Sequence, residues 1–172
     1  IEAVFDLAVT AAGYTHGHPT GKLASGALAA AVGSLVQGAG LDEALDLTAA
    51  VLAGRPGHEE TSAALAEARR LAAAGPPSAD AVVALGEGWV AEEALAIAVY
   101  CALTGGTFEV AVRAAVNHSG DSDSTGAITG NLLGAAGGRG VVPEPWLAAL
   151  AERALVERVV DDLVGCFGPS GS

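Results

Sequence analysis

Methionine is missing from this 172-residue chain, and aromatic residues are scarce, with three Phe, two Tyr and two Trp. Hydrophobic residues make up 51% of the chain and aromatics only 4%, so any core has to be assembled mainly from Ala, Leu and Val. Small side chains imply closely packed helices. Cysteine is nearly absent as well. Cys101 and Cys166 are not spaced as a metal motif and do not amount to a disulfide framework, which suits a reducing compartment and a cytoplasmic location. Basic residues are few, 8 against 20 acidic, for a formal charge of −12. Such a surface repels phosphate backbones and anionic membranes and argues against general nucleic-acid binding. A nucleotide can still be held by a local metal site or a helix N-terminus. Long apolar runs are missing too: no stretch reaches the roughly 18 residues of a membrane span, so no membrane partner is expected.

What is present is helical periodicity. At 16.7 kDa the chain is expected to form a single all-α domain over residues 1–172. Apolar spacing of three and four predicts a helix from Ala3 to Ala12, stopped by Gly13. A loop through His16, His18 and Pro19 leads to a glycine-dotted helix from Thr20 to about Gln37, expected to be central. Leu41–Leu52 and His58–Ala74 read as peripheral amphipathic helices, followed by a short helix over Ser78–Leu85 and an apolar one over Val90–Leu103. Thr107 caps a segment running to His118. A second glycine-dotted helix is expected over Ser124–Ala136, and one or two closing helices between Trp146 and Val164.

Chemistry concentrates at Gly120-Asp121-Ser122-Asp123-Ser124-Thr125-Gly126, two carboxylates with three hydroxyls around them. Oxygen donors at alternate positions suit Mg²⁺, Mn²⁺ or Ca²⁺. An Asp-x-Asp-x-Thr phosphatase nucleophile would need a preceding β-strand, and the segment before it is helical. An EF-hand would need a bidentate Glu at its twelfth position, where Leu132 stands. The remaining alternative is a helix N-terminus capped by Asp and Ser without a metal.

This string, with Ala127-Ile128-Thr129-Gly130-Asn131-Leu132-Leu133-Gly134-Ala135 after it, resembles the C-terminal metal motif of the ADP-ribosylglycohydrolase family, the relatives of dinitrogenase reductase-activating glycohydrolase. Thr15-His16-x-x-Pro19, Trp89-Val90-Ala91-Glu92-Glu93-Ala94-Leu95 and Val142-Pro143-x-x-Trp146 are similar to that family in the same order, so the likeness runs from Leu7 to Val164. It implies a multi-helix orthogonal bundle that hydrolyses the bond between ADP-ribose and an acceptor with two divalent cations, Mg²⁺ or Mn²⁺. By the resemblance Asp121, Asp123 and Ser124 are metal ligands, and the two aspartates are catalytic, with Asp123 able to bridge ions about 3.5–4 Å apart. Cleavage at the anomeric carbon would pass through an oxocarbenium-like state.

Around this motif, His16 is expected near the substrate of the resemblance, as a donor or a cation facing a pyrophosphate, the alternative being a structural His. Gly120 joins it as a substrate-binding residue. Gly86-x-Gly88-Trp89 precedes a helix, where free backbone donors can meet phosphate and the indole can stack on a base; the alternative is a core Trp beside a loop. Glu92 and Glu93 read as favourable first-turn charges, not as catalytic groups. Asn117 and His118 are either groups that orient the aspartates or polar residues facing solvent.

One departure stands out. The family also carries a Glu in a Gly- and Pro-rich segment and a Thr-Asp-Asp-Thr type motif, and neither is here; Asp161-Asp162, the one adjacent Asp pair, lies late in the chain without the threonines. With the missing Met and a helical start, this leads to the expectation that the 172 residues are the C-terminal part of a longer enzyme, inactive without an N-terminal segment of the same domain. Two other classes stay open: a non-catalytic member that binds ADP-ribose or a nucleotide, and a helical structural module.

Overall fold

The computed structural model describes residues 1–168, and its regular elements are all helical. The chain divides into two units, Ile1–Val141 and Val142–Ser172, the second described as far as residue 168. The first unit contains α1 (Glu2–Ala12), α2 (Pro19–Val36), α3 (Leu41–Ala53), α4 (Glu59–Ala72), α5 (Ala79–Ala84), α6 (Ala91–Thr104), α7 (Phe108–Val116) and α8 (Ser122–Gly137), closed by a 3-10 turn, Arg139–Val141. The all-α expectation is met.

Helices α2 and α6 form the centre of this unit. α2 packs against α1, α3, α6 and α8, while α6 packs against α4, α7 and α8 as well. From Ala94 to Ala102 every residue of α6 is buried, the signature of a helix apolar on all sides. The small residues of α2 serve the close approach that the composition implies: a Cβ on Gly26 would fall 2.8 Å from Val9 and 2.9 Å from the fully buried Phe5 ring. α1 therefore lies almost directly on the α2 backbone.

Local signals set the boundaries. Pro19 opens α2 behind the cap His18, whose Nδ1 accepts the Thr20 N–H, and the Thr107 hydroxyl accepts the Val110 N–H at the start of α7. Tyr100, buried in α6, accepts the Ser78 N–H at 2.9 Å and so ties down the entry to α5.

Three expectations need correction. α7 stops at Val116 rather than His118, because Asn117 has already left the helical region at φ −104°, ψ 50°. α8 starts at Ser122 rather than Ser124, because Asp121 caps it. α4 is less peripheral than its amphipathic pattern suggests: it lies against α6 and buries Thr61, Leu65 and Ala68.

The second unit holds α9 (Glu144–Ala149) and α10 (Arg153–Phe167). Arg153 donates from Nη1 to Glu144 and from Nε to Glu157, both at 3.0 Å. Neither helix contains a buried residue. Among the described residues no helix is long and apolar enough to cross a membrane.

Candidate active site

The aspartate motif lies at the start of α8 and is held there by a local network. Asp121 is the helix cap, its Oδ1 accepting the Ser124 N–H at 3.3 Å. Hydrogen bonding with the Ser124 hydroxyl, and next with the neighbouring Asp123, keeps the Asp121 carboxyl below its ordinary value. It therefore stays ionised where an ordinary aspartate begins to protonate. Asp123 stands in the first turn and is exposed.

His118 braces the turn from beneath. Its Nδ1 accepts the Gly120 N–H at 3.1 Å, which places the ring proton on Nε2, where it is donated to Thr125 Oγ1 at 3.0 Å. Thr125, fully buried, passes its own proton to the Ala115 carbonyl at 2.6 Å. Of the two readings open for His118, the orienting one fits this half-buried, fully engaged ring.

The second wall is the loop before α6. Asp121 N–H donates to the Glu87 carbonyl at 2.8 Å, and a Cβ on Gly120 would sit 1.7 Å from that same oxygen. Glycine at position 120 is what lets the two segments touch. Trp89 is 67% exposed, so the core-Trp alternative fails; its Nε1 donates to Glu87 Oε2 at 3.2 Å. The phosphate cradle expected from Gly86-x-Gly88 is also corrected. The N–H groups of Glu87 and Gly88 both donate to Glu93 Oε2, each at 3.1 Å, so those donors are already satisfied by the protein.

The third wall comes from the loop between α1 and α2. His16 is exposed, its ring lies over Gly21, and its Nδ1 is 2.8 Å from the Thr15 hydroxyl. These walls enclose a cavity of about 250 Å³ whose lining includes His16, Gly88, Trp89, Asp121 and Ser124. Five residues singled out in sequence thus share one cavity. Asp123 and Gly120 do not line it: Asp123 points to the exposed side of the same turn and Gly120 is covered by Glu87. The starts of α6 and α8 both contribute to the lining; the Asp121 carboxylate already occupies the anion-favouring end of α8.

Sequence reasoning missed Glu87 and the larger role of Glu93. The available signal was a Glu at the third position of a helix, the place from which a carboxylate reaches back to amides before the helix.

The oxygen donors of Asp121, Asp123 and Ser124 are of the right kind for a hard divalent cation. They are too few to hold one alone, since such ions take about six ligands. Among the described residues no group of three or more His, Cys, Asp or Glu comes together to hold a metal.

Comparison with known proteins extends this geometry. The profile of a family described as ADP-ribosylglycohydrolase matches residues 1–171. An uncharacterized protein of Archaeoglobus fulgidus is 36% identical over 83 residues, which are 48% of this chain and 27% of that protein. The matched part therefore spans about a quarter of that relative's length. No solved structure matches.

Proposed function

Since this chain belongs to the ADP-ribosylglycohydrolase family, a family of hydrolases, we propose that it supplies the C-terminal wall of a site that cleaves ADP-ribose from an acceptor. The observation that carries this reading is the convergence of His16, Trp89, Asp121 and Ser124, from three separate segments, on one cavity.

Each group has a task there that its surroundings suit. The ionised Asp121 presents negative charge to a sugar carbon that becomes cationic as its glycosidic bond breaks. Trp89 offers an exposed indole face at the rim, available to stack on an adenine or pack on a ribose. With Nδ1 engaged by Thr15, His16 has Nε2 left for a ligand phosphate, and the start of α6 lines the same cavity. A bound Mg²⁺ or Mn²⁺ would orient ribose hydroxyls and acidify a water. Asp121, Asp123 and Ser124 would be its ligands from this chain.

The test is release of ADP-ribose by the full-length natural protein with Mn²⁺ or Mg²⁺, compared with Asp123→Ala. The variant should abolish release and leave the helical circular dichroism unchanged. Undiminished release by Asp123→Ala overturns the reading. A second reading, nucleotide binding without turnover, needs only the cavity and the exposed Trp89 indole beside it. Measurable ADP-ribose affinity with no product from the full-length protein would select it.

A further inference from the structure

We infer that Glu93 is a positioning residue that holds two walls of the cavity, the loop carrying Trp89 and the turn carrying Asp121, in one fixed contact. The inference rests on the proposed use of that cavity. Its basis is a continuous relay through a single peptide group. The peptide joining Glu87 to Gly88 receives the Asp121 N–H on its carbonyl oxygen at 2.8 Å and donates its own N–H to Glu93 Oε2 at 3.1 Å. A peptide group is planar and rigid, so fixing its N–H fixes the direction of its C=O. Hydrogen bonds in such a chain also polarise one another, and the carboxylate at its end makes the link a charge-assisted one.

Three further contacts aim the relay. The Glu87 N–H donates to the same Glu93 oxygen, so the carboxylate grips two consecutive amides and the loop cannot rotate about either alone. Gly86, at φ +115°, has no side chain where the Glu93 carboxyl lies: a Cβ there would be 2.3 Å from Glu93 Cδ. The Glu87 side chain, fixed by its own backbone, then accepts the Trp89 indole N–H. Glu93 is thus connected to the aspartate on one side and to the indole on the other, without being part of the cavity lining itself.

A simpler role for Glu93 is a negative charge in the first turn of α6. Glu93→Asp keeps that charge but is one methylene too short to reach the two amides. Glu93→Gln loses the charge but keeps an acceptor oxygen at full length. The measurement is amide hydrogen exchange at Gly88 and Asp121 in the full-length protein. A positioning role predicts that Glu93→Asp speeds exchange at both amides by about tenfold, the loss of one ordinary hydrogen bond, and that Glu93→Gln, which keeps the acceptor and loses only the charge assistance, falls between Glu93→Asp and wild type. The reverse order, with Asp normal and Gln fast, overturns the inference, as does acceleration at Gly88 without Asp121.

A second measurement separates this from the proposed function. Mn²⁺ affinity, read from the free-ion electron paramagnetic resonance signal, should fall in Glu93→Asp, leaving more free ion at a given total. In Asp123→Ala the affinity should be lost while exchange at Gly88 is unchanged. Should the wild-type protein release no ADP-ribose, the exchange result still decides the role of Glu93.

Discussion

Helices α6 and α10 are nearly equal in length, and each carries a cysteine, yet one is buried over nine consecutive residues and the other has none buried. α6 has no charged residue after Glu93, so it can be covered from every side without stranding a charge. α10 carries Arg153, Glu157, Arg158, Asp161 and Asp162 beside an apolar stripe that includes Val156, Val159, Leu163 and Phe167. Each of those four apolar residues is exposed. The lesson is that apolar periodicity reports what a helix is able to bury, whereas charge on the remaining faces limits how far it can be buried.

The largest effect expected from this contrast is in the core. Ile97→Ala, at a fully buried site in α6, should cost about 2–5 kcal/mol in denaturant unfolding. Leu163→Ala, at a residue 53% exposed, should stay within about 0.5 kcal/mol. A cost at Leu163 equal to that at Ile97 would break the contrast. Gly120→Ala falls between the two because it overpacks a half-buried contact, with about 1–3 kcal/mol expected. It should also raise amide exchange at Asp121.

The two cysteines give the same comparison in reactivity. Burial pushes the Cys101 thiol up to about 12, while Cys166 is exposed. At pH 8 a maleimide should label Cys166 rapidly in the folded protein and reach Cys101 only after unfolding, as peptide mass mapping can read out. Rapid native labelling of Cys101 would place α6 outside the stable core.

The smallest effect concerns pH. The carboxyl of Asp121 is depressed in the folded state, so its ionised form contributes stability above the ordinary carboxylate range. That contribution is lost as pH falls through the depressed value. Asn caps a helix about as well as Asp. Asp121→Asn should therefore be less stable than wild type at neutral pH and converge with it in acid; parallel curves across the range would remove the charge from the account.

Much of this was legible in the residues. Gly13, the Thr107 cap and the run from Ala94 to Ala102 announce helix ends and the central helix, because they depend on neighbours within one or two turns. The aspartate motif and His16 could be picked out because their chemistry is unusual for their positions. Glu93 reads only as a first-turn charge; its third place in α6 hints at a reach back to amides, but which amides it meets is set by the loop, which sequence does not show. The Glu87 carbonyl posed the same difficulty over a longer range, because only the fold brings it to Asp121. The exposure of α10 was hidden for a different reason: its pattern is the one a half-buried helix would have.

The shared peptide between Glu87 and Gly88 also bears on how such a site can be copied or varied. Transplanting residues 120–126 onto another helix start would carry the aspartates and leave behind the carbonyl that receives Asp121. Randomising residues 87 and 89 with glycine held at 86, 88 and 120 keeps room for the carbonyl, whereas a library at position 120 meets it head-on. The smallest portable piece is a pair of segments, 86–93 and 118–125, and a change in either is best selected together with the other.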